Sequence, residues 1–258
     1  MVIIVRCMQE GARTGLWAEQ VLELHMHIEG ESEMNSETPR PFRNREQAGR
    51  MLADRLKHYS NRSDVVVLAL PRGGVPVGVE VASALRAPLD VFVVRKLGAP
   101  GQPELAMGAI ASGGVRVLND EVVQVLNLTD DAINRVAQTE QQELERRERL
   151  YRADGPSPNL TDQVVILVDD GLATGSTMRA AVKAVRQHGP ARIVVAVPTA
   201  AAETCEDFKS EVDEIVCVIA PEAFQAVGLW YQEFPQTSDE EVRDLLERSS
   251  RELVDREG

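Results

Sequence analysis

Five runs of consecutive apolar, mostly β-branched residues punctuate the chain: 65–70 (VVVLAL), 91–94 (VFVV), 164–168 (VVILV), 193–197 (IVVAV) and 214–219 (EIVCVI). A strand with one face in water alternates apolar and polar residues, whereas a strand covered on both faces reads as a continuous apolar run. The runs therefore predict a parallel sheet with helices on both sides. Helical periodicity at about 76–86, 177–188 and 200–209 falls between several of them, as βαβ units with right-handed crossovers require. A further helix is expected to begin at Asn44, with Gln47 as its capping-box partner and Ala48, Met51, Leu52 and Leu56 on one face. The fold class is α/β, built on a five-stranded, mainly parallel sheet flanked by helices.

Other stretches are read from polarity and breakers. Residues 103–118 predict a short hairpin, and Asp130 to Arg152 a long charged helix capped by Thr129, with acids in its first turn and arginines in its last. The charges of that helix, among them Glu143, Arg146, Arg147 and Arg149, predict a solvated salt-bridged face. The sequence Gly155-Pro156-Ser157-Pro158 then breaks the chain. Residues 1–38 show weak periodicity and end in a polar run, which predicts a loosely ordered extension. A core is expected over 39–220, and 221–258 forms a terminal segment whose last helix opens with Ser238 and Glu241.

Composition narrows the class. A chain of 258 residues with 43% hydrophobic and 27% charged side chains is globular in character, which excludes wholesale disorder and a membrane-embedded body. The formal charge of -13 disfavours nucleic acid, but it is concentrated at the ends. Residues 1–38 carry -5 and residues 203–258 carry -11, leaving the middle at +3, so a small anionic ligand remains compatible. Cys7, Cys205 and Cys217 are odd in number and dispersed, which predicts neither a disulfide framework nor a zinc ribbon. Reduced thiols, the lack of a signal-peptide core and the lack of a membrane-length apolar stretch together predict a cytoplasmic protein. His25, His27, His58 and His188 form no ligand set, and no metal-binding residues are assigned.

The chemistry concentrates at VVILVDDGLATGSTM, residues 164–178. Asp169 and Asp170 end a buried strand, where ligands of open parallel sheets bind. Ionised carboxylates only accept hydrogen bonds and so suit vicinal hydroxyls. Ala173, Thr174, Gly175, Ser176 and Thr177 follow as a small-residue turn at a helix N-terminus, which suits a phosphate. Each half alone is explained by a capped helix after a strand; the ordered pair describes a ribose 5-phosphate site.

This stretch resembles the fingerprint of the type I phosphoribosyltransferases: an apolar strand, two acids and a T-G-x-T turn. The resemblance implies that Asp169 and Asp170 bind the ribose hydroxyls of phosphoribosyl pyrophosphate and that residues 173–177 bind its 5-phosphate. Ala173 stands where the 6-oxopurine enzymes of that family carry a third acid, which points away from guanine and hypoxanthine and toward adenine- or uracil-type members. Leu70-Pro71-Arg72-Gly73-Gly74 looks like the family's pyrophosphate loop, with a non-proline cis peptide expected around Arg72 and Gly73. Arg95 and Lys96 are expected to contact pyrophosphate and, with Asp170, to carry the catalytic role. Residues 97–108 look like the mobile loop that closes over the site, and the terminal segment like a hood whose Phe224, Trp230, Tyr231 and Phe234 contact a base or pack on the sheet.

The implied activity is transfer of ribose 5-phosphate to a nitrogen acceptor, a nucleobase by resemblance, with magnesium carried mainly by the substrate, no nucleic-acid or membrane partner, and a homodimer as the family's usual assembly. A non-catalytic phosphoribosyl pyrophosphate sensor is the alternative; a nucleotide hydrolase would need a nucleophile or metal cage not visible in the sequence. Because residues 1–38 lack an apolar face, a chain shortened to begin at Met34 is expected to melt at nearly the full-length temperature; a large drop in a thermal melt would show that the extension is part of the core.

Overall fold

The computed structural model describes residues 41–152 and 158–257. The expected order in residues 1–38 therefore lies outside the described residues.

Helix α1 (Arg45–Arg55) starts where the capping pattern places it, with Asn44 Oδ1 accepting from the Gln47 N–H at 3.0 Å. The Gln47 side chain reaches back to the N–H of Arg43 at 2.6 Å, one residue ahead of the usual capping-box partner. The parallel sheet contains β1 (Val65–Ala69), β2 (Leu89–Val91), β6 (Val164–Val168), β7 (Arg192–Thr199) and β8 (Glu214–Ile219). Their spatial order is β2-β1-β6-β7-β8, and every neighbouring pair is parallel. All five residues of β1 and of β6 are buried.

Strand alternation sends those residues into two separate cores. Val66, Leu68, Val165 and Leu167 meet Met178, Val182 and Val185 of α5 (Ser176–Arg186) and Phe208 of α6 (Ala202–Phe208). On the other face, Val65, Val67, Val164 and Ile166 meet Leu52 of α1 and Val77, Val81 and Leu85 of α2 (Gly74–Leu85). Each such aliphatic side chain contributes roughly 1.5–3 kcal/mol of burial. The central strands are thus fixed from both sides, and their carboxyl ends form a rigid rim.

The second apolar run is divided in the structure. After β2, the Phe92 N–H still bonds Ala69 O, but the Val93 carbonyl accepts from the Ser112 N–H and the Val93 N–H donates to Ser112 Oγ, both at 2.9 Å. The chain there leaves the parallel sheet for an antiparallel one of β3 (Val94–Ala99), β4 (Gln102–Ala111) and β5 (Val115–Leu118). The hairpin expected over 103–118 is present as β4 and β5, with β3 added as a third strand, and the loop expected at 97–108 is corrected. Leu97, Ala99 and Met107 are buried, and Gly98 lets the Pro103 carbonyl approach to where a Cβ would lie 2.5 Å from it. Small and apolar residues therefore zip the segment into paired strands, leaving only a tight turn at Pro100 and Gly101, the latter at φ 78°.

Helix α3 (Asp120–Val125) leads to α4 (Asp130–Arg152), and α7 (Asp239–Glu257) closes the described chain. Along α4, Glu143 does sit in a solvated ion cluster, its carboxyl lowered to about 2 by hydrogen bonds from Arg146 and Arg147. The last arginine departs from that picture: Arg152 is nearly buried, bonds Asp90 at 3.0 Å and Glu148 at 2.9 Å, and donates to the Val91 carbonyl at 2.6 Å. Asp90 remains raised by burial even so.

A second correction concerns the cysteines. Cys205 and Cys217 are disulfide-bonded, because β7 feeds α6 back against edge strand β8 and brings their Cα atoms to 7.1 Å. The reducing compartment inferred from unpaired cysteines loses that support. No helix among the described residues is long and apolar enough to cross a membrane.

The buried Arg152 ties α4 to the sheet edge. Arg152→Met is expected to destabilise the protein by about 3 kcal/mol in urea unfolding, since it strands a partly buried carboxylate at Asp90. A change below about 0.5 kcal/mol would show the pair to be worth no more than a surface bridge.

Candidate active site

The rim at the carboxyl end of β6 carries the two acids. Asp169 is half-buried, with Oδ1 accepting from the Asp170 N–H at 2.8 Å. Asp170 accepts on a single oxygen, Oδ2, from Arg45 Nε at 2.9 Å and Nη2 at 2.8 Å, while its carbonyl accepts from Tyr231 Oη at 2.6 Å. The Asp170 side chain is only 16% exposed, so these are not the open strand-end acids that the sequence position implies. Burial raises both carboxyls. Asp169 is pushed well above the ordinary range by burial and then by the charge of Asp170, whereas the Arg45 guanidinium opposes the rise at Asp170. Asp169 is thus the member of the pair that keeps a proton longer.

Past the acids the chain turns into α5. Leu172 forms a parallel bridge with Ala200, and Gly175 takes φ 68° where a Cβ would lie 2.6 Å from the Phe208 ring. The turn is held from behind: Thr204 Oγ1 donates to the Ala173 carbonyl at 2.7 Å and Arg179 Nη1 to the Thr174 carbonyl at 2.6 Å. Ser176 and Thr177 begin the helix, and Thr174 Oγ1 lies 3.4 Å from the Ser176 N–H. With its carbonyls engaged elsewhere, the turn offers its N–H edge and small hydroxyls to an anion.

The loop after β1 packs directly on this rim. Its cis peptide joins Pro71 to Arg72, one bond earlier than expected. A Cβ on Gly73 would fall 2.1 Å from Asp170 Oδ2, and one on Gly74 would fall 2.7 Å from the Val168 carbonyl. Only glycine permits that approach. Arg72 is braced by Asp239 at 3.6 Å, and Asp239 accepts from Tyr151 Oη at 2.7 Å. A cleft of about 450 Å³ opens here, lined by Arg45, Arg72, Gly73, Asp170, Phe234 and Thr237 among others. A larger one of about 650 Å³ lies beside Asp90 and Arg152, whose charges already satisfy each other.

Residues 43–232 match the family model of the phosphoribosyl transferase domain. The chain belongs to that family. It is 42% identical to the protein TT1426 of Thermus thermophilus, whose crystal structure superposes with a TM-score of 0.72 over 80% of this chain and 97% of that one. Over 214 residues it is 48% identical to proteins of Mycobacterium tuberculosis strains CDC 1551 and H37Rv that are provisionally named phosphoribosyl transferases. That match covers 83% of this chain and 48% of theirs, so the chain spans about half the length of the curated relatives it matches.

Within this phosphoribosyl transferase domain, the two cations expected to act together point apart, as neighbours on a strand must. Arg95 turns to α4 and pairs with Glu140 at 2.6 Å. Lys96 faces a small groove lined by Ser176, Arg179 and Lys183 at the start of α5. The terminal aromatics are engaged in packing: Tyr231 is buried against Phe42 at 5.4 Å, and Phe224 stacks on Trp230 at 6.2 Å. Phe234 lies under the Arg45 guanidinium at 3.8 Å.

Arg45 is the residue that reading the sequence missed. A signal was present: a cation in a helix's first turn opposes the macrodipole and needs a partner elsewhere.

Proposed function

We propose that the domain transfers ribose 5-phosphate from phosphoribosyl pyrophosphate to a small nitrogen acceptor of the nucleobase class. The observation that carries this reading is the packing of the Arg72-Gly73-Gly74 loop against Asp169 and Asp170, with the Thr174 to Thr177 turn on the same rim. Two segments separated in the chain by three helices, two strands of the parallel sheet and the antiparallel sheet meet where one ligand carrying two phosphate ends and a diol between them would fit.

In this reading Asp170, paired with Arg45, accepts from a ribose hydroxyl, and Asp169 completes the diol contact beside it. The turn at 173–177 holds the 5-phosphate through backbone N–H groups and hydroxyls. Arg72 is assigned to the pyrophosphate end, and Lys96, in the neighbouring groove beside Ser176, is assigned with it. As the acceptor nitrogen bonds to the anomeric carbon and the bond to pyrophosphate breaks, the ribose gains positive charge and the leaving group negative. Acids under the sugar and cations beside the leaving group oppose both changes. Most of the protein's contribution is orientation of the two reactants.

Magnesium would supply charge neutralisation on pyrophosphate when bound. Among the described residues no group of three or more His, Cys, Asp or Glu is placed to hold a metal, and Asp170 is engaged by Arg45, so the donors fit an ion brought by the substrate's own oxygens.

The test is pyrophosphate release from phosphoribosyl pyrophosphate and magnesium across a panel of nucleobases. Asp169→Asn with Asp170→Asn is expected to lower ligand affinity or turnover on the order of a hundredfold or more, at about 1.5–3 kcal/mol per charge-assisted contact. The melt should fall as well, because Arg45 loses its counter-ion. Unchanged calorimetric binding by the folded double variant would remove the acids from the ribose site.

The opposed directions of Arg95 and Lys96 separate their effects. Lys96→Ala is expected to weaken phosphoribosyl pyrophosphate more than ribose 5-phosphate, with the melt unchanged. Arg95→Ala should instead lower the melt through the lost Glu140 pair. Equal weakening of both ligands by Lys96→Ala would place that lysine away from pyrophosphate.

A further inference from the structure

We infer that Arg45 is a positioning residue: it pins one oxygen of Asp170, leaves the other open to the ligand, and couples the terminal segment to the ribose-binding acid. The inference rests on the reading above, in which Asp170 receives the ribose.

Its first support is geometric. Arg45 Nε and Nη2 both end on Oδ2, a fork on one atom, while Oδ1 receives no side-chain donor among the described residues. The pair fixes where Oδ2 sits and leaves Oδ1 open to a ligand donor, on an acid that lines the same cleft as Arg72, Gly73 and Thr237. The second support is connectivity. Arg45 Nη1 donates to the Pro235 carbonyl at 2.7 Å, and the guanidinium stacks on Phe234. Residues from the first described helix, the central strand and the terminal segment therefore meet on one side chain that is 10% exposed.

The third support is electrostatic. Asp170 has Asp169 beside it in the chain, Tyr231 from the terminal segment donating to its carbonyl, and Arg72 on the facing loop across the same cleft. Arg45 is the cation in direct contact. Two adjacent buried carboxyls otherwise tend to share a proton, and a protonated Asp170 would accept more weakly from a hydroxyl and would not stabilise a cationic sugar. The sign follows directly. Burial raises Asp170 and Arg45 opposes that rise, so removing Arg45 moves its protonation further upward, and alkali should restore the charge.

The experiment is calorimetric binding of phosphoribosyl pyrophosphate with magnesium by Arg45→Met, Arg45→Lys and wild type at several pH values, each variant expressed as a ratio to wild type. Arg45→Met is expected to bind about thirtyfold more weakly at about pH 6.5 and to recover to within about threefold at about pH 9. Arg45→Lys keeps the charge but not the fork, and should show a pH-independent deficit of about tenfold or less. A wild-type-like Arg45→Met, or a deficit that is the same at every pH, overturns the inference, the latter by reducing Arg45 to a packing role. If Arg45→Met does not fold, Arg45→Gln against Arg45→Lys reads the same ratio. A wild-type chain that does not bind phosphoribosyl pyrophosphate at all overturns the functional reading itself, and with it this inference; a wild type that binds while the variants stay flat overturns the inference alone.

Discussion

Two carboxylates side by side at the inner end of a strand buried on both faces are an electrostatic liability, and much of the surrounding structure answers it. Moving a charge from water into such a place costs several kcal/mol unless hydrogen bonds and an opposite charge compensate. Asp169 receives a backbone N–H, and Asp170 receives the Arg45 fork. The loop that closes over them must come without side chains, which is why Gly73 and Gly74 stand where any Cβ would collide with a carboxylate or with the strand itself. Tyr231 completes the arrangement by taking the carbonyl that the turn leaves over, and burial together with the neighbouring acids keeps its hydroxyl protonated.

The terminal segment consequently behaves as a clamp with two jaws. At one end, Tyr231, Phe234 and Pro235 hold Asp170 through its carbonyl and through Arg45. At the other, Asp239 at the start of α7 holds Arg72, and Tyr151 of α4 holds Asp239. An acid in a helix's first turn is where the macrodipole favours it, so Asp239 costs little to station there; a base in the first turn of α1 is where the dipole disfavours it. Arg45 overcomes that opposition because its carboxylate partner, carbonyl and aromatic ring are all within reach. Of the aromatics expected to contact a base or to pack on the sheet, Tyr231 is buried in packing, whereas Phe234 lies under Arg45 and lines the cleft.

What could be read from the chain was what a single segment decides. The strands of the parallel sheet were legible because burial on two faces leaves an uninterrupted apolar run, and Asn44 and Ser238 because caps are local. The acids and the turn were legible because they are contiguous. Features that depend on which distant surface arrives were not. Residues 97–108 look like a loop by their glycines and prolines, yet pair as strands because Leu97 and Met107 find a core. Arg152 looks like one more surface arginine until Asp90 is brought to it, and Cys205 and Cys217 look unrelated until β7 and β8 lie side by side. Arg45 belongs to the same class, although its unfavourable helix position was visible in the sequence.

The division of labour within the acid pair follows from these asymmetric surroundings. Arg45 touches Asp170 directly and acts on Asp169 only at longer range, so the two neighbours do not titrate alike: burial raises both, and Arg45 opposes the rise mainly at Asp170. Pairs whose surroundings push them apart in this way can serve unlike roles, one accepting as an anion and the other able to donate while protonated. A vicinal diol presents both donors and acceptors, and such a pair can match it more fully than two bare anions could. The cation beside Asp170 also offsets part of the field that two full charges would cast across the cleft. In the proposed reading the acids therefore act by where they hold a sugar at least as much as by how strongly they attract it, and that placement depends on a guanidinium contributed by the first described helix.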